Sequence, residues 1–111
     1  MIDTAQAERY SWGEQCDGWH LLRSADLSVI QERMPPGTQE VRHSHDRAHQ
    51  FFYVLSGEAT IESNGIVEIL KPFQGIDIPA GLPHQVCNRS AADLEFIVVS
   101  APPSHGDRTL L

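Results

Sequence analysis

His43-Ser44-His45-Asp46-Arg47-Ala48-His49-Gln50 and, further along, Pro79-Ala80-Gly81-Leu82-Pro83-His84 carry the reading of this 111-residue chain. Residues two apart on an extended strand point to the same face, so His43 and His45 can share one ion only if this segment is a strand. A helix would pull them apart. Imidazole nitrogen suits divalent first-row metals, and an amide oxygen is a weaker fourth donor. His43, His45, Gln50 and His84 therefore read together as a mononuclear metal site.

The surroundings of these residues are rich in β-formers. Short runs at 19–23, 27–34, 39–43, 50–55, 58–62, 66–70, 75–78, 84–88 and 94–100 read as strands, and helical periodicity is scarce. Asn64-Gly65 can take positive φ at both central positions of a tight hairpin, Ser56-Gly57 marks another, and Pro35-Pro36-Gly37 forces a bend. These signals predict an all-β unit, closed or nearly so. Residues 1–18 read as an N-terminal arm, 19–100 as the barrel and 101–111 as a C-terminal tail, the ends crossing the body or a neighbour.

Composition narrows the function classes. Asp and Glu outnumber Lys and Arg by 15 to 8, for a net charge of −7. No basic stripe is present, so neither nucleic acid nor an anionic membrane is an expected partner. The first ten residues have neither a basic start nor an apolar stretch, and nothing approaches the ~20 apolar residues of a membrane span. A cytoplasmic protein is expected, with Cys16 and Cys87 as reduced thiols. Alternation puts Cys87 on the face opposite His84.

The spacing of the motifs carries a family resemblance. Gly37, five residues, His43-x-His45, four residues, Gln50, six residues and Gly57 resembles the first signature of the cupin superfamily, with Gln50 where most members have Glu. Pro79-x-Gly81-x-x-His84-x-x-x-Asn88 resembles the second, which usually begins with Gly six residues before the Pro; here Phe73 stands in that place. The resemblance covers roughly 27–100. It implies a double-stranded β-helix, the jelly-roll barrel of a small single-domain cupin, with a metal near one open end. The ligands it implies are His43, His45, Gln50 and His84, holding one divalent transition metal: Fe, Mn, Ni or Zn. His49 is the competing fourth ligand, since some cupins use four histidines. Counting back from Gly57 favours Gln50, which leaves His49 at the pocket rim or behind a ligand.

Alternation also nominates pocket residues. Gln39 and Val41 precede His43 on the inward face, Val86 and Asn88 follow His84, and Phe52 and Val54 follow Gln50. Phe52 either lines the pocket or fills the core. The phase of Glu32 and Arg33 is not fixed by the sequence, and His20 and His105 read as surface residues. Two functions remain open. One is a metal-dependent enzyme of dioxygenase, isomerase or lyase type acting on a small oxygen-rich molecule; the other is a non-catalytic binding or sensory module for a sugar or organic acid. A homodimer is expected, with the region of Trp12 and Trp19 covering a neighbour.

Overall fold

A computed structural model describes residues 1–104 and 106–111; the expectation for His105 lies outside the described residues. Eleven strands follow in chain order: β1 (Glu8–Trp12), β2 (Cys16–Arg23), β3 (Ser28–Met34), β4 (His43–His45), β5 (His49–Ser56), β6 (Ala59–Ser63), β7 (Ile66–Leu70), β8 (Gly75–Ile78), β9 (His84–Cys87), β10 (Leu94–Ala101) and β11 (Arg108–Leu110). They form a six-stranded sheet ordered β1-β2-β3-β10-β5-β8 and a five-stranded sheet ordered β11-β4-β9-β6-β7, paired antiparallel throughout. The fold is the all-β double-stranded β-helix. No helix among the described residues is long and apolar enough to cross a membrane.

Period-two burial explains the closure. Along β10, buried Leu94, Phe96, Val98 and Ser100 alternate with half-buried Glu95, Ile97 and Val99, and β5 buries Gln50, Phe52 and Val54 in the same phase. These inward side chains meet Met34, Ala59, Ile61, Ile78 and Val86 in a single core. The hairpin between β6 and β7 turns on Asn64 and Gly65, at φ of 51° and 85°, as its sequence predicts.

Three regions depart from the sequence reading. The run expected at 39–43 is a strand only from His43, because the Glu40 carboxylate takes the Val86 N–H at 2.9 Å and interrupts the ladder there. Gln39 keeps an isolated bridge to Cys87. The segments set apart as arm and tail both carry strands: β1 pairs with β2 at the edge of one sheet, and β11 pairs with β4 at the edge of the other. Backbone donors and acceptors on these edges are satisfied by the chain's own ends.

Candidate metal centre

His43 and His84 sit opposite each other across the β4–β9 ladder, with ring centroids 4.5 Å apart. His45 shares the inward face of β4, its centroid 4.8 Å from that of His43. Before β9, the Gly81 N–H donates to the His45 carbonyl at 2.7 Å, joining the turn of the second motif to the strand of the first. The nitrogens that the three buried imidazoles offer all lie within 4.8 Å of one another.

Each ring is oriented through its other nitrogen. His43 Nδ1–H donates to the Val41 carbonyl at 2.7 Å and His84 Nδ1–H to the Leu82 carbonyl at 3.0 Å. A carbonyl only accepts, so Nδ1 carries the proton and Nε2 keeps its lone pair, the tautomer a metal requires. His45 Nδ1–H donates instead to the Asp107 carboxylate at 2.8 Å. Burial first, then the neighbouring imidazoles and Arg108, pushes His43 down to about 4; burial likewise lowers His84. Both rings therefore stay neutral near neutral pH.

Gln50 approaches from the six-stranded sheet. Its Nε2 donates to Ser100 Oγ at 3.0 Å, while Gln50 Oε1 and His84 Nε2 are buried without a hydrogen-bond partner among the described residues. Buried polar atoms are rarely left so; one of the two belongs to the group of three imidazoles, the other to a residue that lines the same cavity as His43 and His45, and both fit a cation. His49 does not join them. One residue out of phase on β5, it faces outward, 59% exposed, and pairs with Asp77.

A cavity of about 900 Å³ opens onto His43, His45 and Gln50. Gln39 and Phe52 line it, and Phe52 also belongs to the core. Asn88, expected on the same face, lies outside the lining because β9 ends at Cys87. Its amide donates to the Met34 and Ala92 carbonyls at 2.8 Å and accepts from Ser90, closing a turn. His20, expected at the surface, is half-buried on the cavity wall with its ring 4.9 Å from that of Tyr10. Cys87 lies outside the histidine group, as alternation predicts.

The cavity also holds groups the sequence reading did not assign. Tyr10, Gly18 and Glu32 are aligned across β1, β2 and β3. The phenol lies over Gly18, where a Cβ would come within 2.2 Å of its ring, and its hydroxyl donates to Glu32 Oε2 at 2.9 Å. Burial raises Glu32 to about 7 against the opposing Tyr10 hydrogen bond. A signal for Glu32 did exist, since it shares the phase of Ile30 and buried Met34, whereas Arg33 points outward to Asp17 and Asp93. Arg108 has no comparable signal. It pairs in register with His45, faces the cavity and makes no ion pair among the described residues.

Comparison with known proteins agrees with this architecture. Residues 30–100 match the family described as Cupin domain. An oxalate-binding protein of Thermotoga maritima is 30% identical over 67 residues, which is 60% of this chain and only 55% of that protein's length. A double-stranded β-helix protein from Klebsiella pneumoniae, itself uncharacterised, superposes with a TM-score of 0.82 at 27% identity, covering 99% of this chain and 95% of that one. The polyketide cyclase RemF from Streptomyces resistomycificus superposes at 0.84 over 100% of this chain and 84% of its own; at 16% identity this shows the shared fold alone.

Proposed function

The chain belongs to the cupin domain family, and on that premise we propose that it is a metal-dependent enzyme, of dioxygenase, isomerase or lyase type, acting on a small oxygen-rich molecule. His43, His45, Gln50 and His84 hold one divalent transition metal, Fe, Mn, Ni or Zn. The observation that carries this reading is the set of donor atoms: three imidazoles oriented through Nδ1, beside a buried amide oxygen with nothing to accept from. Such an ion, when bound, supplies Lewis acidity or activates O2.

The chain's own residues supply the rest. Glu32, raised to about 7, exchanges a proton near neutral pH, and Tyr10 holds its carboxylate in place. Arg108, on the cavity wall, presents its guanidinium to anionic groups of the substrate. Phe52 and Ile30 form an apolar wall of the cavity. An acid–base group in the same cavity as His43, His45 and Gln50 favours turnover over simple binding.

We also place the protein in the cytoplasm as a homodimer. Supporting the dimer, Phe51, Tyr53, Ile97, Val99 and Val29 lie side by side on the outer face of the six-stranded sheet. Light scattering should return twice the chain mass, and a monomeric mass removes that part of the proposal. The central test is elemental analysis of the purified protein, followed by O2 uptake and product analysis with small diols, diketones and hydroxy acids. One bound metal is expected, with turnover lost in His43→Ala. A protein that takes up none of the four metals ends the metal reading; tight ligand binding with no product in any assay favours a binding module.

A further inference from the structure

The three imidazoles are not held alike. His43 and His84 are oriented by neutral carbonyls two residues before them on the same segment. His45 is oriented by a carboxylate 62 residues away, carried just ahead of β11. Asp107 is 6% exposed at its side chain and meets three donors. Oδ1 accepts from His45 Nδ1–H at 2.8 Å, and Oδ2 accepts from the N–H groups of Arg47 and Ala48 at 3.0 and 2.9 Å. The Asp46 N–H closes on the Asp107 carbonyl at 3.2 Å.

These contacts span the bend between two candidate ligands. Asp107 fixes the His45 ring directly, and by pinning residues 46–48 it sets where β5 begins, hence the phase that turns Gln50 inward and His49 outward. The charge is as informative as the geometry. An ion held by three neutral imidazoles and an amide keeps its full double charge, because Gln50 supplies none of the compensation a carboxylate ligand would. A carboxylate hydrogen-bonded to a ligating imidazole makes that nitrogen a stronger donor and brings negative charge one residue removed from the ion.

We propose that Asp107 is the positioning residue of the metal centre, orienting His45, fixing the approach of Gln50 and supplying from outside the ligand set the negative charge that Gln50 lacks. The proposal rests on the metal reading given under Proposed function. It makes the C-terminal segment part of the site, and it accounts for an amide in the fourth position: the carboxylate has moved to the far side of His45.

The test compares Co(II) affinity and the visible Co(II) spectrum in metal-stripped full-length wild type, Asp107→Asn, Gln50→Glu and the double variant, with thermal unfolding of each apo protein alongside. Asp107→Asn is expected to weaken Co(II) binding about 10- to 100-fold and to move the absorption band. Adding Gln50→Glu to that variant should restore about tenfold or more of the lost affinity, since a charge returns to the centre by another route. A purely structural carboxylate predicts that Gln50→Glu gains no more in the Asp107→Asn background than in wild type; a charge supplied by Asp107 predicts a larger gain in the variant. Wild-type affinity and spectrum in a folded Asp107→Asn protein overturn the proposal, as does a gain from Gln50→Glu that is no larger in the Asp107→Asn background than in wild type. Should Asp107→Asn not fold, Asp107→Glu keeps the charge on a longer arm; a displaced spectrum with weaker binding is then expected, and an unchanged one overturns the proposal. A wild type that binds no Co(II) fails the metal reading instead.

Discussion

Gln50 and Ser100 are direct partners across the β5–β10 ladder, and the amide N–H of one is spent on the hydroxyl of the other at 3.0 Å. That bond leaves Gln50 Oε1 buried without a hydrogen-bond partner among the described residues, in a side chain that lines the same cavity as His43 and His45. Gln50→Glu keeps the contact if the Ser100 hydroxyl donates, and it adds a negative charge among the metal donors. Metal affinity should rise by about tenfold or more, read by competition with a chelator. Affinity that is unchanged or lower would mean that position 50 does not face the ion.

The Glu32 carboxyl, raised from 4.5 to about 7, gives stability a definite sign with pH. Between those values the folded protein keeps a proton that the unfolded chain has released. This contribution is complete below pH 4.5 and is lost as pH rises to about 7. Glu32→Gln has nothing to release. Measured by urea unfolding, its stability relative to wild type should climb by about 1 kcal/mol per pH unit across that window and then level off. A gap that does not vary with pH refutes the assignment.

Gly18 leaves the space through which Tyr10 reaches Glu32. Gly18→Ala should cost about 1–3 kcal/mol by displacing the phenol. In a Tyr10→Ala background the same methyl meets empty space, so the added loss should nearly vanish. A double-mutant cycle by chemical denaturation checks this, and equal losses in both backgrounds would contradict it.

Phe73, standing where the second cupin signature has glycine, adopts φ of 68°. Phe73 is 73% exposed and contributes little packing, so the left-handed backbone is a net cost. Phe73→Gly should gain between a few tenths and about 1 kcal/mol, part of the relief being offset by the freedom of glycine in the unfolded chain. Phe73→Ala retains the strain and should stay within about 0.5 kcal/mol of wild type. Equal stabilities for the glycine and alanine variants would remove strain as the cause.

Local rules made much of this legible. Alternation on β5 turned Gln50 inward and His49 outward, and Asn64-Gly65 fixed its hairpin. Those readings need only a strand's period and a turn's φ. Asn88 was misplaced because alternation was extended one residue past the end of β9, into a turn held by side-chain hydrogen bonds. The beginning of β4 was misread for a related reason: a side chain, Glu40, takes the place of a backbone acceptor. Asp107, Arg108 and Tyr10 were out of reach altogether. Asp107, 62 residues from His45, and Arg108 arrive just ahead of and on an edge strand, and Tyr10 lies on an edge strand of the other sheet; no short-range pattern encodes which residue of such a segment will land beside His45 or over Gly18.

The 62-residue span between His45 and its carboxylate also bears on how the molecule is born. Contacts so remote along the chain are costly to close early, so an ion is not expected to nucleate this fold as it does in a zinc finger. On the metal reading, the barrel assembles first and takes the ion as a finished chamber. Refolding should then proceed at one speed with or without a chelator, while the loaded protein opens more slowly than the empty one.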